Sequence, residues 1–155
     1  GNIQLHDHGI LISRYGIVRG VDLLKAWVLH CLGLELNCAS KTILVTPDES
    51  VVLAGPLPSP GLATFLELYI KGCRTLSNFF PEPAAVYAKQ VLSTRARKQP
   101  IEVAREKLNW LLDGGYDPGL VLLARGRDGD LLGSEFIQLA EEIMIPIWRH
   151  YEQGI

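Results

Sequence analysis

The sequence predicts a single α/β domain in which a small sheet is flanked by helices. Short β-branched and apolar runs fill the first third of the chain, one amphipathic helix interrupts them, and helical repeats fill the remainder. A chain of 155 residues is long enough to bury one core. We therefore expect one domain over residues 1–155, with a strand and helix core at 1–54 and a mainly helical part at 55–155.

Two hairpins are expected to build the sheet. Residues 2–6 and 9–14 flank a short polar stretch, which favours antiparallel strands joined by a tight turn. Residues 41–46 are β-branched and apolar, and the turn-forming sequence TPDES leads from them to residues 51–54. The second pair of strands is therefore also expected to be a hairpin.

A helix over residues 21–32 is predicted between the two hairpins. Asp22 near its start complements the positive end of the helix dipole. Apolar residues recur at a spacing of three and four, which is typical of a helix that packs one face on a sheet. These apolar positions are Leu23, Leu24, Trp27, Val28, Cys31 and Leu32.

The segment GPLPSPG, residues 55–61, is predicted to be a linker, because its three prolines lack amide donors and fix the backbone. Ser59 is expected to cap a helix over residues 61–72, with Pro60 in its first turn. One stripe of that helix is apolar. The stripe consists of Leu62, Phe65, Leu66, Tyr69 and Ile70.

Further helices are predicted over residues 84–92, 101–112, 118–124 and 134–151. Asp117 should cap the third of these helices, and Pro146 should bend the last.

Composition limits the functions that the chain can have. The formal net charge is −2 and the pI is about 6.1, so no long-range field attracts the whole domain to nucleic acid. No apolar run reaches the ~18 residues of a membrane span, and we expect a cytoplasmic protein without membrane contact. The chain begins with Gly1 and its only methionine is Met144, which we interpret as a fragment of a longer chain.

Neither a metal site nor a cofactor is expected. Cys31, Cys38 and Cys73 are odd in number and form no CxxC pair, which favours buried, reduced thiols over a disulfide or zinc site. The sequence His6, Asp7, His8 could be a metal cluster, but a third ligand at suitable spacing is absent, and a polar turn is the preferred interpretation. Two further histidines are expected to have structural roles. His30 is predicted to be a partly buried packing residue near the apolar face of its helix, and His150 to lie at a helix C-terminus.

Three stretches resemble the C-terminal domain of RecC, the gamma subunit of exodeoxyribonuclease V. They are RYGIVRGVDLLKAWVLHCLGLE, FLELYIKGCRTLSNFFPEPAAVYAKQVL and the tail from DPGLVLLARG to IMIPIWRHYE. The resemblance implies a restriction-endonuclease-like core of the PD-(D/E)xK type that has lost catalysis. It also implies RecB and RecD as partners, and DNA contact through RecBCD, an ATP-dependent helicase and nuclease that processes broken DNA ends for recombination.

The resemblance places Ser13 and Tyr15 where active nucleases of that type carry an acid and a lysine. The acid holds magnesium and the lysine stabilises charge on the scissile phosphate. A serine hydroxyl is a poor ligand for a hard cation, and tyrosine is neutral at pH 7. The pattern acid, any residue, lysine occurs nowhere in the chain, and residues 21–32 lack the glutamine and tyrosine of active relatives. We therefore expect no catalytic residue.

Two alternatives remain open. A metal-binding aspartate could lie before Gly1, which would make the chain part of an active nuclease. The chain could also be an interaction module unrelated to DNA repair. Pro47 and Asp48 form a literal PD, but the predicted hairpin turn accounts for both residues.

Local positive charge supplies the candidates for DNA binding. Arg95, Arg97 and Lys98 place three charges within four residues of a predicted loop. This cluster is either a solvated connection or a surface that faces phosphates. Arg14 and Arg19 flank the strand end and are secondary candidates.

Phe79 and Phe80 are the candidates for partner docking. They precede Pro81, Glu82 and Pro83 in a stiff, apolar segment. Aromatic residues on a rigid backbone lose little entropy on binding, so the pair could anchor a partner. The alternative is packing beneath a loop, with one ring buried in the core and the other half-buried.

Overall fold

The computed structural model describes residues 5–6, 9–56, 59–114, 117–126 and 129–153. Two compact units divide the chain. The first unit comprises Gly1–Ser77 with Pro146–Ile155, and the second comprises Asn78–Ile145. The expectation of one domain over the whole chain stays a prediction.

A four-stranded mixed sheet forms the centre of the first unit, which confirms the predicted α/β class. Its spatial order follows the chain: β1 (Leu5–His6), β2 (Gly9–Ser13), β3 (Lys41–Val45) and β4 (Ser50–Ala54). The pairs β1–β2 and β3–β4 are antiparallel, as predicted for two hairpins, although residues 2–4 of the first predicted strand lie outside the described residues. The pair β2–β3 is parallel.

Helix α1 (Gly20–Glu35) is the crossover between the two parallel strands. Parallel strands need such a connection, and this helix covers the sheet. Of the predicted apolar face, Leu23, Trp27 and Cys31 are buried, whereas Leu24, Val28 and Leu32 are only half-buried. Gly33 permits the close approach, because a Cβ atom there would lie 3.0 Å from Ile10 Cδ1 and 3.1 Å from Ala39 Cβ. The buried residues of the helix are Gly20, Leu23, Ala26, Trp27, His30, Cys31 and Gly33.

Helix α2 (Leu62–Gly72) starts later than its predicted cap, and the prediction of Ser59 as N-cap is wrong. Gly61 is the N-cap, and its carbonyl accepts from Thr64 N at 3.2 Å. The carbonyl of Pro60 instead accepts the indole N–H of Trp27 at 2.8 Å. That tertiary bond holds Pro60 outside the helix.

Helices make up the second unit and the end of the chain. They are α3 (Pro81–Leu92), α4 (Pro100–Asp113), α5 (Pro118–Arg125), α6 (Ser134–Leu139), a π-helical segment (Ala140–Met144) and α7 (Ile145–Gln153). The predicted Asp117 cap is confirmed, since its side chain accepts from Leu120 N at 3.0 Å. The irregularity expected at Pro146 takes the form of the π-helical segment just before it, because proline lacks the amide that an α-helical bond requires.

An aromatic cluster marks the core of the second unit. Phe136 is 0% exposed, stacks on Phe80 at 6.4 Å between ring centroids, and meets Tyr87 edge-on at 6.0 Å. The Tyr87 hydroxyl donates to Glu141 Oε1 at 3.0 Å, which joins α3 to the π-helical segment. Of the helices in the described residues, none is long and apolar enough to span a bilayer.

Candidate functional site

The carboxyl edge of the parallel strands is the first place to look for chemistry, because ligands of α/β sheets bind there. Ser13 is the last residue of β2 and pairs with Val45 on β3. Tyr15 lies two residues after Ser13 and is 95% exposed. The start of α1 lies directly after this loop. The two positions singled out in the sequence therefore present a hydroxyl and a phenol to solvent at this edge.

Asp22 at the start of α1 is engaged by the two arginines of the same loop. The guanidinium of Arg14 donates to Asp22 Oδ2, and both side chains are largely buried. The backbone N–H of Arg19 donates to the same oxygen at 3.0 Å, and its side-chain Nε lies 3.6 Å away. The carboxylate thus caps α1 and neutralises Arg14. Sequence reasoning identified each of these residues but not their association.

The two arginine candidates for DNA binding differ in how far the contact with Asp22 buries and neutralises them. Arg14 is held as a structural ion pair, and its side chain is only 22% exposed. The side chain of Arg19 is 52% exposed and remains accessible from solvent.

The loop with Arg95, Arg97 and Lys98 belongs to the second unit and connects α3 to α4. All three residues are exposed. Lys98 Nζ lies 2.6 Å from Glu106 Oε1, and the Lys98 carbonyl accepts from Gln90 Nε2 at 2.9 Å. These bonds order the end of the loop and reduce its positive charge.

Phe79 and Phe80 have different environments. Phe80 is 7% exposed, is the N-cap of α3 and stacks on Phe136, so its ring is part of the core. Phe79 is half-buried. Of the pair, only Phe79 is partly accessible to solvent.

His30 packs inside the first unit and is buried more completely than the partly buried packing residue that the sequence predicts. It is 1% exposed, and its Nδ1 lies 3.3 Å from Thr42 Oγ1. Nε2 has no hydrogen-bond partner among the described residues. Burial, with a smaller contribution from the charge of His150, lowers the pKa of His30.

The cysteines differ from their expected burial. Cys31 is buried, and burial raises the pKa of its thiol to about 11. Cys38 and Cys73 are exposed free thiols, so the expectation that they are buried is wrong. The reason is their place in the fold, since Cys38 lies in the turn after α1 and Cys73 is the C-cap of α2.

Metal ligands do not cluster in the part of the chain that the structure describes. No group of three or more His, Cys, Asp or Glu side chains there is arranged to hold a metal ion. Of the sequence His6, Asp7, His8, only His6 lies within the described residues.

A cavity of about 570 Å³ lies at the opposite edge of the sheet, where β2 and β3 begin. Its lining includes His6, Gly9, Cys38, Ser40 and Lys41. This cavity could not be predicted from the sequence, because its lining residues come from separate turns that meet only when β2 pairs with both β1 and β3.

By its fold, the protein is a mixed α/β domain with a crossover helix. The two side chains singled out at the end of β2, those of Ser13 and Tyr15, provide neither a carboxylate nor an amine. Comparison with protein families matches residues 2–92 to the RecC C-terminal domain, and the chain belongs to that family. Family membership implies a role within a RecC subunit of RecBCD, in DNA repair and recombination. Searches of curated proteins and of solved structures found no match.

Proposed function

We propose that the chain is a non-catalytic, nuclease-like domain of a RecC subunit with a degenerate PD-(D/E)xK-type core. It serves as a scaffold that docks RecB and RecD and guides separated DNA strands in the repair of double-strand breaks by homologous recombination. The observation that carries this proposal is the occupation of the strand end by Ser13 and Tyr15, beside the crossover helix.

The chemistry of that edge supports a loss of catalysis. Metal-assisted hydrolysis of a phosphodiester needs carboxylates that hold the cation. Ser13 and Tyr15 offer only a hydroxyl and a phenol. The carboxylate of Asp22 is engaged by Arg14 and by the Arg19 amide, so metal binding would have to break an ion pair and a helix cap.

Guidance of DNA rests on the exposed arginines. Arg19 is the N-cap of α1, while Arg95 and Arg97 lie in the loop between α3 and α4. A net charge of −2 supplies no general attraction, so each contact with a phosphate must come from such local groups.

Docking through the segment that contains Phe79 is supported by its half-buried ring beside the buried ring of Phe80. A partly exposed aromatic side chain on a rigid backbone is a suitable anchor for a partner, because it loses little conformational entropy on binding. Pro81 at the first position of α3 supplies the rigidity.

The test uses the purified full-length subunit with labelled single- and double-stranded DNA and either Mg²⁺ or Mn²⁺. We expect no cleavage by the subunit alone and stable assembly with purified RecB and RecD. Cleavage that Ser13→Ala abolishes and the control Ser93→Ala preserves would identify an active nuclease. Failure to assemble with either subunit would contradict the proposed scaffold role.

A further inference from the structure

The cavity where β2 and β3 begin is lined by parts of three strands and by the turn after α1. His6 on β1 pairs with Gly9 on β2. A Cβ atom at Gly9 would lie 2.2 Å from the carbonyl oxygen of Lys41, the first residue of β3, so only glycine allows the two strands to approach this closely. The backbone of these strands is therefore fixed where it lines the cavity.

Hydrogen bonds also order the turn between α1 and β3. The amides of Cys38 and Ala39 both donate to the carbonyl of Gly33, at 3.0 and 3.2 Å. Asn37 is in the left-handed conformation, with a φ of 50°, which asparagine tolerates better than most residues. The side chains of Asn37, Cys38 and Ser40, which line the cavity, are therefore carried by an ordered backbone.

The polar side chains of the lining supply hydrogen-bond donors and a positive charge. They are an ammonium from Lys41, an imidazole from His6, an amide from Asn37 and a hydroxyl from Ser40. Within the described residues, no carboxylate belongs to the lining, and none forms an ion pair with Lys41. An ammonium without a counter-ion, beside further donors, attracts an anion.

The remaining charges near the cavity do not favour a cation. His6 and Cys38 can each ligate a metal, but no third ligand joins them in the described part of the chain, and Lys41 would repel a cation. The C-terminus of α1 carries about half an elementary negative charge, which opposes an anion. The carbonyls of Gly33 and Leu34 already accept amides of the turn, so the full charge of Lys41 outweighs this effect.

The size of the cavity indicates a ligand larger than a single ion. Its volume of about 570 Å³ lies within the range of about 300 to 1,000 Å³ that holds small organic ligands. Leu34 and Ala39 add apolar surface to the lining, which suits an organic group beside the anion. A phosphate group has three strong acceptor oxygens, whereas a carboxylate has two, so a phosphate can use more of the donors.

We infer that the cavity binds a small organic phosphate of about nucleotide size, with Lys41 as the counter-charge of the phosphate group. The position of the cavity argues against a strand of DNA as its ligand. The cavity lies where β2 and β3 begin, whereas Arg14 and Arg19 follow the end of β2, so it does not extend that basic surface. The inference does not require the proposed function, because binding of a small molecule by the first unit needs no partner subunit.

The first experiment uses Cys38 as the reporter, because it lines the cavity and is an exposed free thiol. Cys73, an exposed free thiol at the C-cap of α2, is the internal control. The full-length protein is alkylated with N-ethylmaleimide, with and without adenosine monophosphate at constant ionic strength, and each thiol is quantified by mass spectrometry. We expect the nucleotide, at about ten times its Kd, to slow alkylation of Cys38 about tenfold and to leave Cys73 unchanged.

Comparison ligands test whether the phosphate group of a small molecule is recognised. We expect ribose 5-phosphate and inorganic phosphate to protect Cys38 at higher concentrations, and adenosine to give no protection. Equal protection by adenosine, or stronger protection by a 5′-phosphorylated oligonucleotide than by the nucleotide, would overturn the inference. So would a lack of protection by all three phosphates at up to about 20 mM, or a failure of Cys38 to react without ligand.

The second experiment removes the counter-charge. Lys41→Met keeps the aliphatic stem, and we expect the Kd for adenosine monophosphate to rise about tenfold or more, as for the loss of a hydrogen bond from a charged group. Lys25→Met, at an exposed position of α1 outside the lining, is the matched control and should keep the Kd within about twofold. Each variant is compared with its own rate without ligand, and melting temperatures show whether it folds.

A further variant keeps the test decisive if Lys41→Met does not fold. Ser40→Asp places a carboxylate in the lining at an exposed position of the turn, so we expect it to fold and to lose protection by the nucleotide. Unchanged protection in a folded Lys41→Met or Ser40→Asp variant would show that the phosphate group does not bind in this cavity.

Discussion

Arg14 and Asp22 form an ion pair that ties the loop after β2 to the first turn of α1. Both side chains are largely buried, and the same Asp22 oxygen accepts the N–H of Arg19 at 3.0 Å. One carboxylate therefore acts as a helix cap and as the counter-ion of a partly buried arginine.

Removal of this carboxylate should destabilise the first unit. We expect Asp22→Ala to lower the free energy of unfolding by about 2 to 4 kcal/mol, because it removes a cap and leaves Arg14 unpaired. Urea denaturation checks this value, with Asp48→Ala in the exposed β3–β4 turn as the control. Replacing Arg14 by leucine in the Asp22→Ala background should recover part of the loss. If the two substitutions are additive instead, the residues are not coupled.

The loop with Arg95, Arg97 and Lys98 should contribute a small and salt-dependent part of the affinity for DNA. We expect substitution of Arg95, Arg97 and Lys98 by alanine to lower the slope of log affinity against log salt by the equivalent of about two phosphate contacts. The number is below three because Lys98 is already paired with Glu106. Binding of single-stranded DNA by the full-length subunit, measured at several salt concentrations, tests this expectation. Lys25→Ala, on exposed α1 surface, is the control. An unchanged slope in the triple variant would mean that the loop is only solvated.

Substitution of Phe79 and Phe80 one at a time should separate an effect on partner docking from an effect on folding stability. Phe80→Ala removes a ring that stacks on Phe136 in the core, so we expect a loss of about 3 to 5 kcal/mol of stability. Phe79→Ala should leave the fold intact and weaken assembly with RecB and RecD by about 30-fold. Melting temperature and affinity measured on the same samples distinguish the two effects. Normal assembly of a well-folded Phe79→Ala variant would place the docking surface elsewhere.

Acidic pH should lower the folding stability of the first unit, because His30 binds a proton more readily in the unfolded chain. Its folded-state pKa is depressed below the unfolded value of 6.5, so the unfolded chain binds a proton more readily than the folded one. Stability is therefore fully present above that value and decreases as the pH falls through it. Urea denaturation at a series of pH values between about 5 and 8 should show this decrease, and His30→Gln should flatten it. His150→Gln should make the decrease smaller, because the charge of His150 contributes to the shift. If the wild type and His30→Gln show the same dependence, His30 does not cause it.

Local signals predicted most of the secondary structure. The strands and α1 follow from runs and spacing within a few residues, and Asp117 caps the helix directly after it. The parallel pairing of β2 with β3 is a consequence of the crossover helix between them. The apolar run predicted a strand over residues 9–14, and the observed strand ends one residue earlier, at Ser13.

Tertiary contacts decided what the sequence could not predict. Ser59 has the chemistry of an N-cap, but the bond from Trp27 to the carbonyl of Pro60, 33 residues away, moves the start of α2. The apolar residues of α2 recur at helical spacing, as predicted. Periodicity does not show what such a face packs against, and in the described structure no residue of α2 is buried. The engagement of Asp22 by Arg14 depends on the path of the intervening loop.

The ten residues from Ser13 to Asp22 supply the strand end, the loop and the start of α1 in one contiguous stretch. The bonds that hold this stretch together run through Arg14, Arg19 and Asp22, while Ser13 and Tyr15 are exposed. Substitutions at the two exposed positions can therefore accumulate without a penalty in folding. The side chains at this edge can therefore differ in chemistry while the bonds of Arg14, Arg19 and Asp22 keep the same architecture.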